Sequence, residues 1–364
     1  MVMEGKHPER PMDIIPETKA GNLLWDLLSA CWSYDPKERP SAKEVNGVIN
    51  ALAYPQTSSS TKFRELGIED IAARFRQKNV ADYTNELGQI NLRGLEPYLH
   101  NGASATLYKI ELSIKWEEGY ARYPQQVIVK YIDRGTPDKQ LKRATRELET
   151  WAPCNHRNIL TLLGFAALNG RLAMISSWMK NGPVTDYVKS QRNPDYYDLC
   201  TQLSSAIKYL HSIGIVHGDI KGDNALVSDR GVVKVMDFGV SIREKMVIEY
   251  TQTATGRGTE RWQAPEILSG KTDSTKEGDV YAMAMTMIEI YTHDRPYGNM
   301  HIGHNERSQI IAGTLRPLKN HPLRLPHDKR GKSLWSIWGL CWVGDPAGRV
   351  TSDDVYEWLS NIEP

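Results

Sequence analysis

The chain has 364 residues, 40% of them hydrophobic and 24% charged, which is ordinary for a globular protein with room for two domains or one large one. A formal net charge of +1 gives no electrostatic reason to expect a nucleic acid or a membrane surface as partner. No apolar run approaches the ~20 residues of a spanning helix, and the N-terminus has no signal-peptide core. The four cysteines, Cys31, Cys154, Cys200 and Cys341, lie far apart and form no CxxC pair, so reduced thiols in a cytoplasmic or nuclear protein are expected.

In chain order, the first feature is a repeat. Leu24-Trp25, Cys31-Trp32, Asp35-Pro36, Arg39 and Val45 match Leu334-Trp335, Cys341-Trp342, Asp345-Pro346, Arg349 and Val355, each pair 310 positions apart. Each copy reads as a Trp-bearing apolar helix, an Asp-Pro turn and a second helix opening at a hydroxyl. Ser41 with Glu44, and Thr351 with Asp354, carry the capping-box pattern. Residues 55–61 have linker composition. Ile68, Ile71, Ala72 and Phe75 then recur at helical spacing, with Arg74, Arg76 and Lys78 read as a solvated face.

Strand-like composition follows at 95–100, 106–114 and 126–132, then a helix at 137–151 with Leu141, Ala144 and Leu148 on one face, and two more strands at 158–160 and 172–178. The remainder is mostly helical. Leu199, Leu203, Ala206, Ile207 and Leu210 make an apolar stripe, and 280–291 is apolar nearly all round, which predicts a buried central helix. His293, His301 and His304 lie in a polar stretch without a second ligand cluster and are read as loop residues.

The stretch His217 to Gly239 carries the chemistry. Runs at 225–227 and 232–236 flank the turn residues Ser228-Asp229-Arg230-Gly231, a hairpin in which Val227 opposite Val232 would set Asn224 opposite Val235. Asn224 and Asp237 would then emerge together at its open end. Both offer hard oxygens, and Mg²⁺ takes only one or two such donors from protein beside phosphates and water. Asp219 and Lys221, just upstream, add a carboxylate and a cation.

His-x-Asp-x-Lys-x-x-Asn followed by Asp-Phe-Gly at this interval resembles the catalytic loop and metal-binding segment of the eukaryotic protein kinases. The resemblance implies an α+β, bilobal fold with a small β-rich N-lobe and a larger helical C-lobe. It also implies ATP and Mg²⁺ as cofactors and a protein substrate phosphorylated on Ser or Thr. It divides the chain into residues 1–53, similar to the tail of a second kinase C-lobe, 54–90 as linker and amphipathic helix, and 91–362 as the kinase domain.

By that resemblance Lys130, in Val127-Ile128-Val129-Lys130, would hold the α- and β-phosphates and pair with Glu147. Asp219 would accept the substrate hydroxyl proton, Lys221 would stabilise the transferring group, and Asn224 and Asp237 would hold the metal. Thr259, in the segment ending Ala264-Pro265-Glu266, would reach Asp219 and Lys221, and Arg349 would pair with Glu266. Asp279 would anchor the catalytic loop. The nucleotide would lie against His100, Gly102, Ala105, Leu107, Ile128, Ser176, Ser177, Met179 and Leu226, with Ser176 the gatekeeper. Trp151, Gly182 and the Cys-Trp ending look most like the tyrosine-kinase-like group, including its fungal Ser/Thr set.

The chain also departs from the family pattern. Only Gly102 survives of the phosphate-loop glycines, with His100 and Ala105 at the other two positions; glycines there permit positive φ and close backbone approach to phosphate. Ile128 replaces the small residue that lies over adenine, and Gly218 replaces the Arg before the catalytic Asp. These changes keep a second reading open, a pseudokinase scaffold with weak nucleotide binding. The loss of that Arg implies that phosphorylation at Thr251, Thr253 or Thr255 is not the activating switch.

Overall fold

The computed structural model describes residues 67–101, 105–115, 122–243, 259–318 and 324–362, together with a broken set between 8 and 45. The chain divides into two compact units, Met1–Lys62 and Phe63–Pro364. Gly102, Thr251, Thr253, Thr255, Glu44 and the linker 55–61 lie outside the described residues.

The first unit holds the helix Lys19–Cys31, capped by the Thr18 hydroxyl, which accepts from the Gly21 amide at 3.0 Å. Its repeat in the second unit, Lys329–Cys341, is capped in the same way by Asp328 and Gly331 at 2.9 Å. Trp25 meets Trp32 edge-on at 5.7 Å, as Trp335 meets Trp342 at 6.0 Å. Arg39 Nε donates to the Ser33 carbonyl at 2.9 Å, as Arg349 Nε does to that of Val343 at 3.1 Å. The sequence repeat is therefore a repeat of local structure.

The second unit opens with the helix Ile68–Gln77, whose Ile71, Ala72 and Phe75 are buried. It belongs to the same compact unit as the sheet, so the helix separated from the domain at residue 91 is part of its core. Phe75 meets Phe165 at 5.6 Å, and residues 81–83 run beside the strand Leu162–Leu168 through Tyr83 N to Phe165 O at 2.8 Å and Phe165 N to Ala81 O at 2.9 Å. A Cβ at Gly164 would sit 2.3 Å from the Ala81 carbonyl, so that approach requires glycine. Arg76 is solvent-facing as expected, paired with Glu69 and Asp82, both at 2.7 Å.

Five strands follow, β1 (Leu99–Asn101), β2 (Ala105–Lys115), β3 (Arg122–Ile132), β4 (Leu162–Leu168) and β5 (Arg171–Ser177), in an antiparallel sheet of order β1-β2-β3-β5-β4. The expected strand at 95–100 shrinks to its last two residues plus Asn101, because Pro97 has no amide to donate and Leu95 and Tyr98 stay exposed at the edge. The expected strand at 158–160 is not one. Ile159 makes a single bridge to Val235, and the Asn158 amide is held by Gln202 and the Val233 carbonyl. The real neighbour, β4, has a Gly-Phe-Ala-Ala centre of low strand propensity.

Behind the sheet lies the helix Pro137–Trp151, and beyond it a helical body around Tyr196–Ser212 and Lys276–Thr292. The latter is buried from Gly278 to Tyr291, as the apolar composition predicts. The small pairs β6 (Ile215–Val216) with β9 (Ile242–Arg243), and β7 (Ala225–Val227) with β8 (Val233–Val235), carry the loops between the two halves. The last described helix, Ser352–Asn361, starts at the predicted Thr351–Asp354 capping box.

Candidate functional site

The hairpin register differs from expectation by one residue: Val227 pairs with Val233 and Ala225 with Val235. The cause is Gly231, at φ 75°, which closes a Ser228–Gly231 turn and adds a residue to the loop before Ser228 N bonds to Val232 O at 2.9 Å. Asn224 thereby faces Met236, whose amide donates to the Asn224 carbonyl at 2.9 Å. The shift carries Asp237 to the open end beside Asn224, so the expected meeting of the two survives.

Asp237 has φ 70°, a left-handed conformation that Asp tolerates better than most residues. It turns the following Phe238 into the core, where the ring is fully buried, 5.8 Å from Trp151 and 5.5 Å from His217. The carboxylate meets Lys130. Lys130 Nζ lies 2.7 Å from Glu147 Oε1 and 2.9 Å from Asp237 Oδ1, so one cation from β3 joins the Pro137–Trp151 helix to the segment bearing Asp237. Lys130 holds Asp237 down to about 2, against burial that opposes its ionisation. Burial disfavours the Lys130 charge, but Asp237 and Glu147 outweigh it and raise its pKa. Burial also raises Glu147, with Lys130 opposing, and Glu147 Oε2 is buried with no hydrogen-bond partner among the described residues.

The residues from His217 to Asn224 are held from two sides. His217 is buried, and its Nε2 donates to the Met236 carbonyl at 3.0 Å, which leaves Nδ1 to accept from the Asp219 amide at 3.3 Å. Asp279 Oδ2 accepts from the His217 amide at 2.7 Å and Oδ1 from the Gly218 amide at 2.8 Å, which is the expected anchor. Lys221 Nζ reaches Asp219 Oδ2 and Thr259 Oγ1, each at 2.7 Å. Thr259 in turn donates its amide to Asp219 Oδ1 at 2.9 Å and its hydroxyl to the same oxygen at 3.1 Å. Asn224 Nδ2 donates to the Asp219 carbonyl at 2.8 Å and to Oδ2 at 3.1 Å, which fixes the orientation of the side-chain amide. Arg349 forks onto Glu266 at 2.7 and 3.0 Å, as expected.

On the sheet, Leu107 pairs with Lys130, Lys109 with Ile128, and Ile128 with Ser176. Alternation therefore puts Ala105, Leu107, Ile128, Lys130 and Ser176 on one face, while Val127, Val129, Ala173 and Ile175 pack into the core on the other. Ser177 falls on that opposite face, its hydroxyl 3.4 Å from Gln125 Nε2, so among the expected nucleotide residues it offers only backbone. The segment after β5 is zipped to β7 by Val227 N to Gly182 O at 2.8 Å and Asn181 N to Val227 O at 3.2 Å. That brings the strand bearing Leu226 alongside the segment that follows Met179. Of His100 only the backbone is described, paired with Thr106.

Residues 96–359 match the family model for the protein tyrosine and serine/threonine kinases, which is more than half of the chain. The chain belongs to that family. Among curated relatives, it is 29% identical over 226 residues to the RGS domain-containing serine/threonine-protein kinase A of Dictyostelium discoideum, covering 61% of this chain and 19% of that protein. It is 31% identical over 208 residues to the mouse mitogen-activated protein kinase kinase kinase 15, covering 56% and 15%. Over 159 residues it is 30% identical to the Saccharomyces cerevisiae serine/threonine-protein kinase BCK1/SLK1/SSP31, covering 43% and 11%. The kinase chain thus spans a fifth or less of each of these relatives.

Two groups escaped the sequence reading. His211, buried, bridges Asp279 Oδ2 at 3.0 Å and Ser352 Oγ at 2.9 Å, tying the Asp anchor to the start of the last helix. Glu289 Oε2 accepts from the Gly222 amide at 3.0 Å and the Trp262 indole at 2.9 Å, and burial pushes its carboxyl up to about 7. The signal for Glu289 was a lone acid within an otherwise apolar helix run, since a charge there requires buried donors.

Proposed function

We propose that this kinase chain transfers the terminal phosphoryl group of ATP to Ser or Thr hydroxyls of protein substrates. The observation that carries the reading is the joined triad Lys130–Glu147–Asp237 standing beside the Asp219–Lys221–Thr259 cluster. Phosphoryl transfer needs positioning and charge more than covalent chemistry, and these are the groups it needs. The donor set fits the implied cofactor: Asn224 and Asp237 offer two hard oxygens, few enough to leave room for phosphates and water around Mg²⁺. Mg–ATP, when bound, supplies the phosphoryl group and the metal charge that offsets its oxygens.

The chain's own residues do the rest. Lys130, fixed by Glu147, offers its ammonium to phosphate oxygens. Asp219 orients the acceptor hydroxyl and takes its proton. Lys221, spanning Asp219 and Thr259, brings positive charge to the transfer point and ties it to the peptide-receiving segment. Ala105, Leu107, Ile128, Met179 and Leu226 form the apolar walls for adenine, with Ser176 behind. The Lys after the catalytic Asp, and the names of the relatives, favour Ser/Thr over Tyr. The scaffold reading draws on the bulk of Ile128, since overpacking costs about 1–3 kcal/mol.

Gly218 bears on regulation. It has φ 80°, and a Cβ there would lie 2.9 Å from Ser274 Oγ, so an Arg at this position is strained. This supports a kinase in which a phosphorylated loop has no Arg at this position through which to set the catalytic loop. We assign it to the tyrosine-kinase-like group, and read residues 1–53 as the tail of a second kinase domain on the strength of the repeated helix, Trp pair and Arg.

The test is radiolabel transfer from Mg–ATP to a generic basic protein, with phosphoamino-acid analysis. Wild type is expected to yield phosphoserine and phosphothreonine, and Lys130→Met to abolish both. Nucleotide-analogue binding without transfer by wild type would establish the scaffold reading instead.

A further inference from the structure

Where the chain leaves β5, side chains from three elements meet at one end of the nucleotide face. Tyr98, at the entry to β1, meets the Trp178 ring edge-on, with centroids 4.8 Å apart and planes at 79°. Lys109 of β2 sets its ammonium over a Trp178 ring, 4.2 Å from the centroid. Lys109 pairs with Ile128, and Ile128 with Ser176, so Lys109 stands on the same face as Ala105, Leu107 and Lys130. Trp178 follows Ser177 directly and is tied back to β3 by its amide, which donates to the Gln126 carbonyl at 3.1 Å.

In the sheet order β1 and β5 are separated by β2 and β3, each strand about 4.8 Å from the next in a flat sheet. Tyr98 and Trp178 touch because the sheet curls, and their contact fixes the curl. The backbone at this edge holds β1 by a short ladder: three residue pairs with β2, extended by the Tyr98 amide to the Leu107 carbonyl at 2.9 Å. Tyr98 is 53% exposed, so the ring contact rather than burial in the core positions it. An edge-on ring pair and a cation over an indole both draw on the negative face of an aromatic ring, so the two contacts act in the same direction.

We propose that Tyr98, Lys109 and Trp178 form a clasp that holds β1 and β2 against the segment after β5, and so sets how fast the nucleotide leaves the face they border. The three are positioning residues for the nucleotide, and the inference rests on the kinase reading above. Asp219, Lys221 and Thr259, assigned to the acceptor, bond to one another, so opening the clasp acts on the nucleotide and leaves the acceptor groups in place.

The experiment follows release of a fluorescent ATP analogue, loaded with Mg²⁺, from the full chain by stopped flow. It compares wild type with Tyr98→Ala, Trp178→Ala, the double variant, Lys109→Met and Lys109→Arg, and adds KM for ATP, KM for a protein acceptor and melting temperature. Tyr98→Ala and Trp178→Ala are each expected to release the analogue about 3- to 10-fold faster, the scale of one aromatic pair. The double variant should release no faster than Trp178→Ala, because either change opens the same contact. Lys109→Met should release about 2- to 5-fold faster, and Lys109→Arg, which keeps a cation over the ring, should return to the wild-type rate. KM for ATP should rise in step, while the acceptor KM holds within about twofold and the melting temperature within about 3 °C. A general loss of structure would move all of these together. If Trp178→Ala does not fold, Tyr98→Ala and Lys109→Met, both at exposed positions, decide. Release within about twofold of wild type in both alanine variants, below the scale of the pair, overturns the inference and leaves the kinase reading intact, as does a double variant in which the two factors multiply. A wild type that binds the analogue and transfers nothing overturns the kinase reading alone; one that binds no analogue overturns both.

Discussion

Arg349→Met would break a buried ion pair of the helical body. The Arg349 side chain is 0% exposed and Glu266 7%; the guanidinium donates twice to the carboxylate, at 2.7 and 3.0 Å. It also holds the Glu277 carbonyl at 2.7 Å and that of Val343 at 2.9 Å. Removing one partner of such a pair strands the other charge, which costs about 3–5 kcal/mol. For a unit running Phe63–Pro364, unfolding entropy of about 2 cal/mol/K per residue converts this into a fall of about 5–8 °C in melting temperature. The assay is a thermal melt of wild type, Arg349→Met, and Glu266→Met with Arg349→Met. The double variant has no stranded charge and is expected to regain about half of the loss, the two backbone carbonyls accounting for the rest. A single-variant drop below about 1 °C, or a double variant less stable than the single, would refute the argument.

Gly218→Arg, which restores the residue usual in the family, is expected to cost about 1–3 kcal/mol and to give no gain in activity, because φ 80° and Ser274 leave no room for a side chain; Ser274→Gly should recover part of the stability. Phe75→Ala should cost about 3–5 kcal/mol in urea unfolding, since the ring is 2% exposed and packs on Phe165 behind β4. The Glu289 carboxyl, raised to about 7 from an ordinary 4.5, binds its proton more tightly folded than unfolded. Stability should therefore fall as pH rises from 4.5 to 7, by on the order of 3 kcal/mol from this group. Glu289→Gln should remove that slope, and an unchanged slope would show that the acid is not the source.

The grouping of Asp219, Lys221, Asn224 and Asp237 was legible because they stand within one short segment, His217 to Gly239, and hairpin geometry brings the last two together. The partner of Lys130 was reachable only through a resemblance, since Glu147 arrives from a separate helix. The long helices were read correctly where the apolar period was clear, as in 196–212. Strand errors followed from local exceptions. β4 hides behind its weak Gly-Phe-Ala-Ala centre, whose Gly164 is required by the close passage of residues 81–83, and the hairpin register moved by one because Gly231 adopts positive φ. Ile68–Gln77 was recognised as a helix, yet its place in the core was not, because packing against a sheet leaves the same apolar stripe as any surface helix. Glu289 and His211 were missed for a common reason: their donors and acceptors come from segments 27 to 141 residues away in sequence, and no spacing rule connects them.

The central claim is that Asp219 works on an acceptor hydroxyl that Lys130-bound nucleotide faces. Its most direct test is paired measurement of nucleotide-analogue affinity and phosphoryl transfer in wild type and Asp219→Asn. Asn keeps the shape and most hydrogen bonds but cannot take the proton. The account predicts unchanged nucleotide affinity with transfer reduced by about 100-fold or more, the scale of a lost general base. Transfer by Asp219→Asn at the wild-type rate would contradict it.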